Sequence, residues 1–409
     1  MIEPKKQLTK SELRAERRAI QDQQRTEKMI KQVKPVAVSE AVSNVRATSE
    51  AVELLSTSVI AHLSPFENRP MMIRKLTLAN HELHPSIVDL GLQMAAGSID
   101  GANTRCVAMM AALKAVIREY SLPNNTVISR DMDKKLRPMI QFLNNCRPIS
   151  PSMECGIKYL KMCISRVLPE TSEIEVKVDL CGALDKFVHE RIVLPGTAIA
   201  QIGGDKISDG DVVLTYSQSD AVLAILANAK YNDTRFRVIV VDSRPYLQGR
   251  NTLNHLHSLN IDVTYVLLHA ISYIMREVTK VLVGADAILS NGVVLAIAGT
   301  AAIAMMATTK NIPVLVCCES YKLYNKVQLD SICSNELGDS DLLVVSSSSK
   351  LNSTPKNPLN MAVPKLLHLR FDIMPCKYVS VIITEHGLIP PSACAVLIRE
   401  LEYKTHVLY

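Results

Sequence analysis

The sequence is poor in aromatic residues. Phe, Trp and Tyr make up 4% of its 409 residues, and tryptophan is absent. Proteins that bind single-stranded nucleic acid without reading its sequence stack the bases on aromatic side chains. A chain with so few aromatic rings is a poor candidate for such a surface, so we expect no direct binding of nucleic acid.

The glycine-rich fingerprints of nucleotide-binding proteins are also missing. No GxGxxG opens a predicted helix, and no GxxxxGK[ST] occurs in the chain. These motifs place backbone N–H groups around a pyrophosphate or a triphosphate. Their absence argues against a tightly bound dinucleotide or nucleoside triphosphate, and we predict no cofactor.

Metal-binding, secretory and membrane-spanning patterns are lacking as well. The ten cysteines form no CxxC pair and no Cys/His ligand spacing, which argues against zinc. The N-terminus is charged and has no apolar signal segment. The apolar stretch 293–309 contains Gly299-Thr300 and flanks a predicted strand, so we interpret it as a buried crossover helix and not as a membrane span. We therefore predict a cytosolic protein with no metal and no membrane contact.

The positive charge is concentrated near the N-terminus. The formal net charge is +6, and residues 1–34 hold ten Lys or Arg against five Asp or Glu. The acids are interleaved with the bases, which is typical of a solvated charged helix rather than of a polyanion-binding surface. We assign residues 1–75 to a basic, largely flexible tail and linker.

Apolar residues of the next segment, 76–205, recur with helical spacing. Intervals of three and four predict amphipathic helices that pack into a bundle. Ser150 followed by Pro151 is a helix-start signal, and Pro195-Gly196 must bend or interrupt the last helix, expected from about 172 to 202. Three of the apolar stripes are Ile87, Leu90 and Met94; Cys106, Met109, Leu113, Val116 and Tyr120; and Met153, Ile157, Leu160, Ile164 and Val167.

From residue 206 to residue 409, short apolar strands alternate with helical segments. This alternation is typical of a parallel sheet that is covered on both faces. The fold class is therefore predicted as α/β: an N-terminal helical bundle followed by a Rossmann-like domain with a mainly parallel sheet. Strands are predicted at 211–216, 236–242, 262–268, 280–283, 314–318 and 378–384, helices at 220–229, 252–259, 270–279 and 299–307, and a polar surface excursion at 340–366.

Ligands of open α/β sheets bind beyond the carboxyl ends of the strands. Ser217, Arg244 and Asp286 follow three predicted strands, and Gly299-Thr300 begins a helix. This set could hold a sugar phosphate, with Arg244 and helix N-termini taking the phosphate. It lacks a nucleophile or base beside a second titrating group. The alternatives are that Asp286 and Thr300 only cap or brace their loops, or that the loops face another subunit.

Seven segments resemble segments of one protein family. In collinear order over nearly the whole chain, they are similar to the delta subunits of eukaryotic translation initiation factor 2B. The alpha and beta subunits of that factor and two sugar-phosphate isomerases share the superfamily. The segments are Leu13–Ala19, Leu83–Val88, Asn145–Ser150, Arg235–Arg250, Pro313–Lys322, Ser334–Leu337 and Ile383–Pro390.

The resemblance implies a non-catalytic regulatory subunit of the guanine nucleotide exchange factor for initiation factor 2. In that family, alpha, beta and delta subunits form a regulatory core, and gamma and epsilon subunits complete a decamer of two copies of each. The epsilon subunit catalyses exchange. Delta subunits pair with beta and help to read the phosphorylated alpha subunit of initiation factor 2, which controls translation initiation in the integrated stress response.

The resemblance also implies two sets of functional residues. An activator pocket of the family lies at the beta–delta junction, and the matching positions are His81, His84, Val88 and Leu90. The family-implied subunit interface comprises Cys317, Cys318, Glu319, Tyr321, Lys322, Asn335, Glu336 and Leu337.

The related isomerases provide the enzymatic alternative. They act on ribose 1,5-bisphosphate or methylthioribose 1-phosphate, with a cysteine at the position of Ser217 and Asn-Lys at Ala296-Ile297. This chain therefore lacks a thiol for acid–base chemistry and a lysine near the phosphate, although Asp286 stands where the isomerases have their carboxylate. The resemblance thus favours a vestigial pocket at Ser217, Arg244, Asp286 and Gly299-Thr300, with no catalytic residue.

Overall fold

Two regions make up the described part of the chain, a helical region and a sheet region. The structure is a computed structural model that describes residue 63 and residues 83–123, 127–168, 171–339, 341–343 and 367–407. The predicted tail and linker lie outside these residues except for Leu63, and so does most of the stretch 340–366. All the described residues belong to one compact unit, residues 58–409.

The helical region has one buried core, to which every helix in the list below contributes except α6. The predicted stripes lie on α1, α2 and α4, and Ser150 caps α4 as expected, because its Oγ accepts a hydrogen bond from the N–H of Met153 at 3.4 Å. The helix α3 was not predicted, although Met132, Leu136 and Met139 recur at helical spacing and are buried. The helices are α1 Pro85–Ala95, α2 Ala102–Glu119, α3 Ile128–Cys146, α4 Pro151–Ser165, α5 Glu173–Val188 and α6 Leu194–Gly204.

A five-residue π-helical turn, His189–Val193, joins α5 to α6. Pro195 has no N–H, so it cannot donate the usual bond to the carbonyl of Arg191. The helix widens by one residue at this turn, and the N–H of Leu194 donates a hydrogen bond to the carbonyl of His189. The predicted interruption at Pro195-Gly196 is confirmed as a widened turn rather than a break.

The larger sheet has seven strands in the order β11-β10-β7-β4-β1-β2-β3. All neighbours in it are parallel except the edge strand β11. The Rossmann-like sheet is therefore confirmed, whereas the domain limits 76–205 and 206–409 stay a prediction. Its strands are β1 Val212–Tyr216, β2 Arg237–Asp242, β3 Asp262–Leu267, β4 Lys280–Gly284, β7 Val314–Cys317, β10 Val381–Thr384 and β11 Gly387–Ile389.

Three helices of the sheet region match their predicted places, one is shorter than predicted, and the C-terminal helix 394–407 was not predicted. The helix predicted at 270–279 shrinks to the single turn α9, because the following backbone already pairs with the sheet: the N–H of Thr279 donates to the carbonyl of Val212 at 2.9 Å. The helices are α7 Asp220–Tyr231, α8 Gly249–Ser258, α9 Ile271–Ile274, α10 Thr300–Thr309 and α11 Cys394–Val407.

A second, four-stranded sheet was not predicted. Its order is β8-β5-β6-β9, and β5 and β6 form a hairpin around Asn291-Gly292. Gly292 has a φ of +75°, and a Cβ there would lie 2.5 Å from the carbonyl oxygen of Pro391. The strands escape a sequence search because they are two to four residues long: β5 Ala287–Leu289, β6 Val294–Ile297, β8 Leu323–Tyr324 and β9 Phe371–Met374.

The apolar core formed by α1 to α5 is separate from the two cores of the sheet, whereas Ile199 of α6 belongs to one of the sheet cores. Alternate residues of the parallel strands enter one core on each face of the sheet, as Leu214 and Ile239 do on one face and Val213 and Val238 on the other. Among the described residues, Tyr321 is the one buried side chain of the sheet region that enters the helical core. What lies between the cores is mostly polar, and it forms the site described below.

The close contact between α6 and α7 yields a test of the packing. A Cβ on Gly203 would lie 2.5 Å from Cδ1 of Ile225, a stiff side chain that is fully buried. We expect Gly203→Ala to lower the free energy of unfolding by about 1–3 kcal/mol in urea titrations. Gly196→Ala on the same helix meets nothing within 4 Å and should raise it by about 0.5–1 kcal/mol. Equal effects of the two changes would contradict this packing.

Candidate functional site

A polar cavity lies between the helical region and the carboxyl ends of three parallel strands. Tyr216 of β1, Gly284 of β4 and Cys317 of β7 form its floor, and Arg105 and Arg147 of the helical region face them. The cavity has a volume of about 170 Å³, which is room for several water molecules or a small polar ligand.

Four charged side chains form a ring at the wall of this cavity. Arg147 donates from Nη2 to Asp100 at 3.1 Å and from Nε to Glu336 at 2.7 Å. Arg370 also donates from Nη2 to Asp100, and its Nε lies 4.0 Å from Glu336. Cations and anions alternate around the ring, and each comes from a different loop or strand. The ring therefore ties the helical region to the segments at 336 and 370.

The charges of the ring are strongly coupled. Burial alone would raise the pKa of Asp100, but the neighbouring Arg370 and Arg147 outweigh it, so the pKa lies below its usual value. Arg147 is 2% exposed, and although burial disfavours its charge, Glu336 and Asp100 raise its pKa. Asp100 and Arg147 are therefore ionised at neutral pH, since each has the opposite charge in contact.

A second polar chain fixes the turn after β7. Tyr321 enters the helical core, where its ring centroid lies 6.1 Å from that of Phe187. Its Oη donates to Oδ1 of Asn103 at 2.5 Å, and Nδ2 of Asn103 donates to Glu319 at 2.6 Å. Lys322 lies 2.7 Å from the other oxygen of Glu319. The turn is thus held in the helical region by an apolar ring and a buried ion pair.

Two ionisable groups of the cavity are less well compensated. Arg105 donates from Nη2 to the carbonyl of Pro148 at 2.5 Å, but its buried Nε has no hydrogen-bond partner among the described residues. Burial lowers the pKa of Arg105 to about 10. Burial also raises the pKa of Asp286 to about 6, and the ammonium of Lys322 offsets only part of that effect.

The five residues of the predicted pocket do not all reach the cavity. Asp286 and Thr300 line it, whereas Ser217, Arg244 and Gly299 are not among its lining residues. Ser217 is buried and donates from Oγ to the side-chain oxygen of Gln248 at 3.3 Å. The side chain at position 217 therefore presents no acid–base group to the cavity.

The N-terminus of α10, a predicted phosphate position, already holds an anion of the chain itself. The N–H groups of Gly299 and Ala301 donate to Oδ2 of Asp372 at 2.8 and 3.1 Å. Asp372 lies on β9, a strand that was not predicted, and burial raises its pKa to about 6. Sequence reasoning missed this carboxylate because its partner Ala301 is 71 residues away along the chain.

Sequence reasoning also missed Asp100, Arg105, Arg147 and Arg370 as parts of one site. The segment Asn145–Ser150 contains Arg147 and carried part of the family resemblance, which was the available signal. Nothing in the local pattern indicated that the loop before α2 and the start of β9 would meet it. These contacts span up to 270 positions of sequence.

The eight residues of the family-implied interface all make contacts inside the chain. Cys317 and Cys318 are buried at the end of β7, and Glu319, Tyr321 and Lys322 form the turn that enters the helical region. Of the other three, Glu336 belongs to the ring, Asn335 donates to the carbonyl of Phe371 at 2.7 Å, and Leu337 pairs with Leu369. A role in contacts with other subunits stays a prediction.

The residues of the family-implied activator pocket lie around the start of α1. His81 is outside the described residues. His84 caps the helix, since its Nδ1 accepts a hydrogen bond from the N–H of Ser86 at 3.2 Å. Leu90 is buried and Val88 is half-buried in the helical core. Binding of an activator stays a prediction.

Within the described ranges, no three His, Cys, Asp or Glu side chains are grouped closely enough to hold a metal ion. The helices of those ranges include none that is long and apolar enough to span a bilayer.

The raised pKa of Asp286 predicts a pH-dependent stability. A carboxyl whose folded pKa lies above its unfolded value favours folding less as pH rises from about 4 to about 6. We expect Asp286→Asn to raise the free energy of unfolding by about 1–3 kcal/mol at pH 7.5 and to change little at pH 4. In this variant, the raised pKa of Asp372 should preserve part of the dependence of the unfolding free energy on pH. Urea titrations at several pH values, with exposed Asp89→Asn as control, check this; a gain at pH 4 as large as that at pH 7.5 would contradict it.

Relatives of this chain are found among translation factors and isomerases. It is 41% identical over 322 residues to translation initiation factor eIF2B subunit delta of Dictyostelium discoideum and 38% identical over 324 residues to that of Schizosaccharomyces pombe. Each match covers 78% of this chain, but only 52% and 69% of the two relatives, so the chain spans about half the length of the first. It is 30% identical to ribose 1,5-bisphosphate isomerase of Pyrococcus furiosus, over 74% of this chain and 90% of that one.

Solved structures give the same picture of the fold. The tetrameric eIF2B-beta2-delta2 complex from C. thermophilum contains a chain that matches with a TM-score of 0.67 and 28% identity, over 75% of this chain and 93% of that one. A model of the Initiation factor 2 subunit family (IF-2B) matches residues 98–391, which include both the helical region from α2 onward and the larger sheet. On this match, which covers well over half of its length, the chain belongs to the initiation factor 2 subunit family.

Proposed function

We propose that the chain is a regulatory subunit, of the delta type, of the exchange factor eIF2B. The observation that carries the proposal is the identity of 38–41% to two eIF2B delta subunits over 78% of the chain. The site geometry supports it, because the side chain at position 217 does not reach the cavity and because paired charges border the cavity. In this role the chain acts through contacts with other proteins in the cytosol and not through chemistry of its own.

The proposed partners are the alpha, beta, gamma and epsilon subunits in a decamer, and initiation factor 2 with its phosphorylated alpha subunit. Exposed apolar side chains on well-anchored segments support such contacts, because large exposed apolar groups mark interaction surfaces. Val327 and Leu329 are 66% and 81% exposed next to the second sheet, and Ile174 and Val178 are 76% and 66% exposed on α5. The loop that presents Leu329 is fixed by a bond from Asn291 to the carbonyl of Gln328 at 3.1 Å.

Assembly with the beta subunit tests the proposal. We expect the full chain, co-expressed with the beta subunit of the same source, to purify as a defined complex and to self-associate when produced alone. Leu329→Asp should weaken the complex about tenfold or more, because it places a charge on an apolar contact. Tyr231→Asp, at a site that is 87% exposed on α7, is the matched control. A stable, soluble monomer that does not bind the beta subunit would contradict the proposal.

The alternative function is that of a sugar-phosphate isomerase. The specific observation in its favour is the 30% identity to an archaeal ribose 1,5-bisphosphate isomerase over 90% of that enzyme, together with Asp286 in the cavity wall. Against it stand Ser217 at the cysteine position and the burial of that side chain away from the cavity. Because serine replaces the cysteine, position 217 carries no group that can exchange protons at neutral pH.

Direct assay separates the two functions. We expect the purified chain to show no turnover of ribose 1,5-bisphosphate or methylthioribose 1-phosphate above a buffer control, measured by the appearance of the ketose product. The variant Ser217→Cys tests the contribution of the thiol alone, since it restores only that group. Turnover by the unmodified chain at enzymatic rates would replace the regulatory proposal with the isomerase.

A further inference from the structure

The carboxylate of Asp100 is surrounded by hydrogen-bond donors in a way that ordinary ion pairs are not. Arg147 and Arg370 each donate to it from Nη2, the first at 3.1 Å. Nε2 of Gln248 donates to Oδ2 at 2.7 Å, and the N–H of Gly101 donates to Oδ1 at 2.9 Å. Two guanidinium groups, an amide and a backbone N–H around one anion are the donor set with which proteins bind phosphate and sulfate.

The three side-chain donors are held in place by contacts that do not involve Asp100. Arg147 is fixed by Glu336, and the guanidinium carbon of Arg370 lies 4.8 Å from the ring centroid of Tyr246, whose Oη accepts from Nη1 at 3.1 Å. The amide oxygen of Gln248 accepts from Ser217. We call the donors around Asp100 the cradle: Arg147, Arg370, Gln248 and the N–H of Gly101. The cradle would therefore keep its shape if the carboxylate were removed, which is the condition for a preorganised site.

The cradle also opens on the cavity. Asp100, Arg147, Gln248 and Arg370 all line it, and the side chain of Asp100 is 26% exposed. With Asp100 present, the two arginines face two carboxylates, and their charges cancel. Without it, one positive charge and four N–H donors would be left for an anion that enters the cavity.

We propose that Asp100 is an internal substitute for an anionic ligand: it fills a two-arginine anion site in the cavity wall and keeps phosphorylated small molecules out. The helix N-terminus of α10 repeats the arrangement, because Asp372 occupies it. Two positions that could take an anion, one in the cavity wall and one at the start of α10, are thus occupied by carboxylates of the chain. The inference goes beyond the regulatory role, since it concerns what the cavity can bind and not what the chain assembles with.

Removal of the carboxylate tests the proposal. Asp100→Ser keeps an oxygen for the N–H of Gly101 but removes the charge; Asp89→Ser, on the exposed face of α1, is the matched loss of an acid. The probe is inorganic phosphate, added at constant ionic strength with chloride, and the readouts are the melting temperature and isothermal titration calorimetry. We expect Asp100→Ser to gain a saturable rise of about 2–4 °C, and the unmodified chain and Asp89→Ser to show none.

A second change assigns the binding to the cradle. Arg370→Ala added to Asp100→Ser should abolish the phosphate response, whereas Arg137→Ala, a surface arginine on α3, should leave it intact. If Asp100→Ser does not fold without added anion, the refolding yield against phosphate concentration replaces the melting curve, and a saturable recovery that chloride does not give supports the proposal. A phosphate response in the unmodified chain, or none in Asp100→Ser by either readout, overturns it. Neither result depends on whether the chain binds a beta subunit.

Discussion

The buried guanidinium of Arg147 is the constraint on which the arrangement of the two regions depends. A charge that is 2% exposed must be paired. Its partners are Asp100 of the helical region and Glu336 of the segment between β8 and β9. Removal of one partner from such a buried set typically costs about 3–5 kcal/mol, because the other charge is left without compensation. The pairing therefore admits one relative placement of the segments that carry these three side chains.

This constraint acts where the apolar cores do not. The helical core and the two cores of the sheet are separate, and Tyr321 is the one buried ring that the described part of the sheet region sends into the helical core. Apolar contacts also join the regions at α6, where Ile199 lies in a sheet core, but apolar burial is not directional. Ion pairs and hydrogen bonds are directional, and here they supply the geometry. The contact of Tyr321 with Phe187 adds apolar stabilisation to the same junction.

The same polar junction determines what the cavity of this fold can offer to a ligand. Its cavity persists beyond the strand ends, as expected for an open parallel sheet. The groups that line it are mostly engaged with each other: Lys322 with Glu319, Arg147 with Asp100 and Glu336, and Arg370 with Asp100. Side chains that would bind a substrate in an enzyme instead hold the parts of this chain together.

The sequence by itself determined the class of fold and most of its helices and parallel strands, because apolar spacing is a local property that persists over ten or more residues. It also determined the family, through segments such as Arg235–Arg250. It missed α3, whose pattern contains Pro138, and the C-terminal helix α11. It also missed the short strands β5, β6, β8, β9 and β11, which hold too few residues for a period. Only the tertiary structure decided the site. Asp100, Arg147, Glu336 and Arg370 are ordinary charges in the sequence, and they become one site because pairing buried charge requires contacts between distant segments.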